Sequence, residues 1–346
     1  MTPLDWGLGH ATRCIPIINE LLSRGCEVQI ATSGRALILL KQEFPRLKFH
    51  ELVSYNAHYS NVFPLTISLL FQVPKILSRI KKEHRQTEEI VRAEKIHFVI
   101  SDNRYGCWSE RAPSIFVTHQ INILMPWAWR GLTPLINHFN HRLIEKFKLC
   151  WVPDGLRDRI TGKLTESKEL KVSYIGMISR FEKIKSVEIK YDLLVLLSGP
   201  EPQRTLMERQ VLKKLKDSPL KVILVRGIPG EEISKAAYEN IILTNHLNAK
   251  DLNEVIEESR IVVSRSGYST IMDLAKLNKK AILIPTPGQT EQVYLANQLS
   301  ERKIAYSSEL TELNIDKAIA SSSRYSGFTE EYKDDLLVKA IDELLE

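Results

Sequence analysis

An apolar, strand-like run, Arg260-Ile-Val-Val263, leads directly into Ser264-Arg-Ser-Gly-Tyr-Ser-Thr270 and then into a helix-patterned stretch carrying Asp273. A strand that stops in a small-residue turn and restarts as a helix commits the chain to an α/β fold with a parallel sheet. The first N–H groups of a helix have no intrahelical partners and sit at its positive dipole end, which suits an anion. Gly267 lets a ligand approach the backbone, and the hydroxyls of Ser266, Ser269 and Thr270 add donors, so a diphosphate is the natural guest. Asp273, one turn further on, is spaced to accept hydrogen bonds from sugar hydroxyls. The same turn also serves as an ordinary N-cap.

The next apolar strand, Lys280 to Pro285, is followed by a Pro/Gly loop and then Glu291-Gln292 at the start of another helix. Two successive strands thus present polar groups at one edge, where open parallel sheets bind ligands.

Strand, small-residue turn, helix acid, Pro/Gly loop, acid-Gln and Ala296-Asn297 together resemble the donor half of GT-B glycosyltransferases of the MurG type, with a family 28 C-terminal domain. The resemblance implies that Ser266, Gly267, Ser269 and Thr270 contact a donor diphosphate, Asp273 the ribose, and Glu291 and Gln292 the hexose. Two positions depart from the family. Its ribose acid is more often Glu than the shorter Asp273, and Arg265, also donor-side, stands where plant-type members carry His.

Upstream, the buried strand Tyr191 to Gly199 ends in a loop resembling the family's first donor-side loop, so Ser198, Gly199, Gln203 and Arg204 are expected near the phosphates, Arg204 by charge. A plain turn with two prolines explains the same residues. Lys221 to Arg226 and Ile241 to Asn245 continue the sheet, and His246, Leu247 and Leu252 match the region where relatives hold the nucleotide base.

Leu4-Asp-Trp-Gly-Leu-Gly-His-Ala-Thr-Arg13 opens the chain. Gly7 and Gly9 make a tight turn, Ile15 to Leu22 reads as an amphipathic helix, and His10 falls near that helix start. This resembles the family's glycine-rich loop, with Gly9 on the donor side and His10 as the base that takes a proton from an acceptor hydroxyl. A capping or packing role for His10 stays open. Only four residues precede Asp5, so the first strand is very short or clipped, and clipping is favoured.

Glu27 to Thr32, His97 to Asp102 and Ser114 to Gln120 read as further strands, with a helix from Gly34 toward Phe44 between them. Their ends offer Asp102, as partner of His10 or as a turn cap, and Asn103, Arg104, His119 and Gln120 as acceptor-side residues. Tyr59 to Ile90 joins the apolar run Val62 to Phe71 to Lys75, Arg79, Lys81, Lys82 and Arg85. Beside Met125-Pro-Trp-Ala-Trp129 these fit either contact with an anionic membrane surface or a core helix with a solvated face.

The 346 residues, 43% hydrophobic and 26% charged, allow two globular domains. The expected organisation is an acceptor-side Rossmann-like domain over 1–173, a linker over 174–190, a nucleotide-sugar domain over 191–326, and a C-terminal helix over 327–346 that packs back toward the first. That is the GT-B arrangement of two doubly wound α/β domains facing a cleft. No run reaches a membrane span and no signal pattern opens the chain, giving a cytoplasmic address, peripheral at the inner membrane face. Four cysteines without metal spacing read as free thiols. A net charge of +6 without aromatic-basic interleaving disfavours nucleic acid.

Asp-x-Asp is absent. That absence speaks against a divalent metal, and the resemblance implies inverting, metal-independent and cofactor-free transfer of a hexose such as GlcNAc from a UDP-sugar to a hydroxyl acceptor, including a lipid or cell-envelope glycan. A nucleotide-sugar 2-epimerase or a non-catalytic binding protein on the same scaffold are the alternatives.

Overall fold

A computed structural model describes residues 1–6, 8–55, 72–156, 159–199, 201–228, 234–328 and 335–346. The chain divides into two compact units, Met1–Ile178 with Lys333–Glu346, and Ser179–Tyr332.

In the first unit, β1 (Thr2–Pro3), β2 (Gln29–Thr32), β3 (Lys48–Glu51), β4 (Val99–Asp102), β5 (Ser114–Val117), β6 (Leu149–Val152) and β7 (Val172–Tyr174) are all parallel to their neighbours. The hydrogen-bonded order is β1-β4-β5-β6-β7, with β2-β3 as a separate pair. That pair lies along β1: Ala31 N–H donates to Met1 C=O and Thr32 Oγ1 to Pro3 C=O. β4 and β5 are buried throughout, as the uninterrupted Val-Ile and Ile-Phe-Val runs of a two-faced parallel sheet require. The first strand has only two residues, yet it sits between β2 and β4 and sets where the following turn emerges.

α1 (Gly9–Ser23) buries Ala11, Cys14, Ile15, Ile17, Ile18 and Leu21, the apolar stripe of a helix lying on a sheet. α2 (Gly34–Glu43), α3 (Val73–Glu94) and α4 (Thr133–Ile144) are further α-helices of this unit. Val62 to Phe71, the apolar run singled out above, lies outside the described residues, as does Gly7.

In the second unit the strands are β8 (Tyr191–Leu196), β9 (Val222–Val225), β10 (Ser234–Tyr238), β11 (Ile241–Thr244), β12 (Ser259–Ser264), β13 (Ala281–Leu283) and β14 (Tyr306–Ser307). Their order is β10-β11-β9-β8-β12-β13-β14, and only the edge strand β10 runs antiparallel. Connecting helices are α5 (Gln203–Leu215), α6 (Ala249–Glu257), α7 (Tyr268–Lys276), α8 (Thr290–Glu301) and α9 (Ile315–Ser322). Leu193, Val195, Leu224, Val263 and Ile282 from adjacent strands share one core with Met207, Val211 and Leu215 of α5. The order reverses direction at β8, between β9 and β12, so the loops after β8 and β12 flank the topological switch point of a doubly wound sheet.

The last helix, α10 (Asp335–Leu345), belongs to the first unit: Leu337, Ala340 and Ile341 join the core beneath α1, and Asp342 pairs with Arg24 at 2.9 Å.

Candidate functional site

Two groups of polar residues stand at the carboxyl ends of strands, one in each unit.

In the first unit β4 ends on Asp102, whose carboxylate is fully buried. Asn103 follows with φ +53°, a left-handed conformation Asn tolerates, and turns the chain sharply there. α1 supplies the donors. His10 Nδ1 lies 2.6 Å from Asp102 Oδ1, Arg13 Nη2 donates to the same oxygen at 2.5 Å, and Arg13 Nε donates to Oδ2. Cys14 Sγ approaches Oδ2 at 3.6 Å. Arg13 Nη1 also reaches His119 Nδ1 at 2.7 Å, just beyond β5. Residues 10, 13 and 14 share one helical face, and register between β4 and β5 brings His119 alongside.

Burial alone would push the Asp102 carboxyl up, but the Arg13 charge and the hydrogen bonds from His10 and Arg13 hold it well below the usual carboxylate range. Burial pulls His10 below the ordinary histidine value and the Arg13 charge adds to this, outweighing the opposing pull of Asp102. His10 is thus a neutral imidazole with its side chain 15% exposed, oriented by a buried carboxylate. An imidazole so placed has the chemistry of a base and the carboxylate that of its orienting group. Sequence reasoning paired His10 with Asp102 but missed Arg13, although its position one turn along the same helix was a readable signal. Gln120 is half-buried, its N–H donating to Thr118 Oγ1.

Arg104, expected on the acceptor side, is a correction. Its fully buried guanidinium donates to Glu83 at 2.6 Å, Ser33 Oγ at 2.5 Å, Pro3 C=O at 2.9 Å and Val53 C=O at 3.1 Å, tying β1, β4 and α3 together. Glu83 accepts in addition from Tyr55 Oη and Gly106 N–H. Its donors are consumed within the fold.

In the second unit α7 opens at the end of β12, with Gly267 as N-cap and Ile271 N–H to Gly267 C=O as the first intrahelical bond. Ser269 and Thr270 are half-buried in the first turn. An added Cβ at Gly267 would meet nothing nearer than Gln292 Nε2 at 3.9 Å, so the space over this turn is open to a ligand. Asp273 Oδ1 accepts from Ser179 Oγ at 2.5 Å. Burial drives its carboxyl up to about 6, against the lowering effects of the Ser179 bond and the Arg180 charge. Ser198 and Gly199 are exposed at the end of β8, Gly199 at φ +100°. His246 and Leu247 follow β11, half-buried, and Leu252 is buried in α6. Glu291 is half-buried in the first turn of α8.

Four donor-side expectations change here. Ser266 is fully buried and its hydroxyl donates to Gln292 C=O at 2.8 Å, so it joins α7 to α8 rather than meeting phosphate. Gln292 accepts from Thr286 N–H at 2.9 Å and donates to Gln289 at 2.5 Å, shaping the 285–292 loop instead of presenting its amide outward. Arg204 is buried, held by Glu201 and by Glu208 at 2.8 Å, so two carboxylates already balance it. Arg265, also buried, donates to the carbonyls of Ile284, Pro285 and Gln203 at 3.3, 3.0 and 3.0 Å. Among the described residues no carboxylate pairs with it, and burial brings it down to about 10, still charged at neutral pH. It acts on the loop through its bonds and on any anion only through its field.

Residues 195–333 match the glycosyltransferase family 28 C-terminal domain. The carboxy-terminal unit is a family 28 glycosyltransferase domain. An uncharacterized glycosyltransferase of Methanosarcina acetivorans is 24% identical over 337 residues, covering 87% of this chain and 84% of the relative. The UDP-N-acetylglucosamine--N-acetylmuramyl-(pentapeptide) pyrophosphoryl-undecaprenol N-acetylglucosamine transferase of Listeria monocytogenes is 24% identical over 298 residues, covering 82% and 77%. Among solved structures, MurG of Acinetobacter baumannii superposes with TM-score 0.57 at 13% identity, covering 99% and 93%. The glycotransferase of kitacinnamycin gives 0.66 at 14%, covering 100% and 97%. The fold is GT-B, and the protein is a glycosyltransferase of the MurG-like kind.

If Arg104 is a strut, Arg104→Leu leaves Glu83 buried without its counter-charge and costs about 3–5 kcal/mol in denaturant unfolding. Adding Glu83→Gln restores part of that loss. A variant of unchanged stability that loses transfer would return Arg104 to the acceptor site.

Proposed function

We propose that this glycosyltransferase moves a hexose from a UDP-sugar to the hydroxyl of a lipid-linked acceptor, with inversion and without a metal ion. The observation that carries this is His10: a neutral, partly exposed imidazole whose Nδ1 lies 2.6 Å from a buried carboxylate. The acceptor hydroxyl gives its proton to His10 Nε2 as its oxygen attacks the anomeric carbon. The bond from that carbon to the diphosphate breaks, and the electron pair leaves with UDP. A single displacement of this kind inverts the anomeric centre.

The leaving charge is met by the α7 N-terminus, where a first helical turn and the open space over Gly267 suit a diphosphate, and by the field of Arg265. Fixed dipoles and charge take the place of a divalent cation. Asp273 binds the ribose, and Glu291 meets the hexose. The UDP-N-acetylglucosamine in the name of the Listeria relative favours GlcNAc as that hexose.

The same relative acts on an undecaprenol-linked substrate, and this chain carries a surface suited to lipid. Trp127, 81% exposed, Leu135, 67%, and Phe139, 45%, stand out on the turn before α4 and on α4 itself, with Arg130 and Arg142 exposed among them. Ile76, Leu77 and Ile80 of α3 pack with Leu143 of α4, which brings the exposed Lys81, Lys82 and Arg85 into the same region. Apolar side chains beside cations hold a protein peripherally on an anionic bilayer. Among the described residues no helix is long and apolar enough to cross one.

His10→Ala is expected to lower transfer by about 10²–10⁴-fold while UDP binding persists, read by product formation and calorimetry side by side. Joint loss of both would make the residue structural, and product without any acceptor would favour the epimerase.

Ribose hydroxyls donate more strongly to Asp273 when it is ionised, since charge-assisted hydrogen bonds are the stronger ones, and burial drives its carboxyl up to about 6. Affinity for UDP-GlcNAc, whose diphosphate does not titrate in this range, is therefore full above that pH and falls as pH drops through it. Asp273→Asn binds more weakly with a flat profile; a flat profile in the unmodified protein would remove Asp273 from the ribose.

Flotation with anionic liposomes tests the membrane surface. Binding should fall at least about tenfold in Trp127→Ser/Leu135→Ser and in neutral liposomes. Equal binding to both lipid types would dismiss it.

A further inference from the structure

Arg13 makes contacts that the transfer chemistry described so far leaves unused. Its Nε and Nη2 fork onto the two oxygens of Asp102, Nη2 also stands 2.9 Å from His10 Nδ1, and Nη1 meets His119 Nδ1 at 2.7 Å. A guanidinium has five N–H donors and no acceptor, so His119 Nδ1 is the acceptor in that contact. His119 is therefore neutral, with its proton on Nε2. His10 Nδ1 faces Asp102 Oδ1 at 2.6 Å and Arg13 Nη2 at 2.9 Å; Nη2 has its closer acceptor in Asp102 Oδ1 at 2.5 Å and the carboxylate can only accept, so His10 Nδ1 carries the proton that it donates and the lone pair falls on Nε2. Two imidazoles with ring centres 6.5 Å apart are thereby held in opposite tautomers.

The electrostatic consequence is as specific. A carboxylate beside an imidazole favours the imidazolium, which is useless as a base. Arg13 supplies the opposing charge. The titratable and charged groups facing His10 are Arg13 on its own helix, Asp102 at the end of β4 and His119 beyond β5, and of these Arg13 and His119 act against its protonation. Cys14, which touches Asp102, has its thiol pushed well up by burial and stays neutral.

We propose that Arg13 is a positioning residue of the transfer reaction, clamping Asp102 so that His10 stays a neutral base with an Nε2 lone pair, and fixing His119 as its Nε2–H form. The first part rests on His10 being the base; the second does not. In the displacement above, the acceptor proton ends on His10 Nε2 and the resulting imidazolium is stabilised by Asp102, while Arg13 keeps the resting ring uncharged.

Nitrogen-15 spectra of the histidine-labelled protein, assigned with His10→Ala and His119→Gln, test the tautomers directly. At about pH 8 His119 should show a pyridine-type Nδ1 and a pyrrole-type Nε2, and His10 should gain its second proton only below the ordinary value of ~6.5. An Nδ1–H form of His119, or a charged His10 at neutral pH, overturns the proposal.

In kinetics, Arg13→Gln should move the acid limb of kcat/KM to higher pH. Activity at about pH 6 relative to about pH 8.5 then falls roughly tenfold beyond the change in the unmodified enzyme, with most activity regained at the higher pH. Arg13→Lys, which keeps the charge, should retain more of the low-pH activity. Equal, pH-independent losses in both variants overturn the proposal, and if Arg13→Gln does not fold the spectra decide. Should His10→Ala leave transfer intact, the base reading fails instead, while the His119 tautomer is still judged by its spectrum.

Discussion

The carboxylate of Asp102 is fully buried, and an ion in that position is tolerable only when its oxygens are saturated. Three side chains of α1 do this, His10, Arg13 and Cys14, all on one helical face. The requirement fixes how α1 lies across the sheet. It also fixes where the turn before α1 must end, because His10 is the second residue of the helix. The short strand β1, between β2 and β4, delivers the chain to that point. A site residue and a fold constraint are here the same atoms.

The second unit solves a related problem with little free charge. Arg204 and Arg226 share Glu208, and Glu201 completes the neutralisation of Arg204. Among the described residues Arg265 is different, a buried cation whose hydrogen bonds go to backbone carbonyls. Those three bonds hold the strand end before α7 against the 284–285 segment and the start of α5, so the same residue that braces the loop leaves a positive field near the helix N-terminus. Burial lowers it only to about 10, which preserves that charge at neutral pH.

The α/β architecture was legible because parallel strands buried on both faces leave unbroken apolar runs. Expected strands such as Glu27 to Thr32 and His97 to Asp102 begin two residues before the ladder does, at Gln29 and Val99, since apolar character continues past the last hydrogen bond. Strand-end polar residues were legible as positions but not as partners. Arg104 meets Glu83 across 21 residues of sequence, through a helix whose packing no local pattern reveals. Arg204 was different: Glu208 stands four residues along the same helix, an ion-pair spacing in plain view. Ser266 lost its expected role to the Gln292 carbonyl, and the Gln292 amide lost its own to Thr286 and Gln289, because two loops that each looked ligand-facing are hydrogen-bonded together and within themselves.

Opposite treatment of two carboxylates follows from what surrounds each. Asp102 is flanked by a guanidinium and an imidazole, and its affinity for a proton collapses although burial works the other way. Asp273 has a serine hydroxyl and a more remote arginine, and burial wins, leaving its carboxyl near 6. The first is a permanent anion whose value lies in orienting a base. The second holds its charge weakly, so any further hydrogen-bond donor placed on it favours its ionised form, and in the proposed reading sugar hydroxyls are those donors.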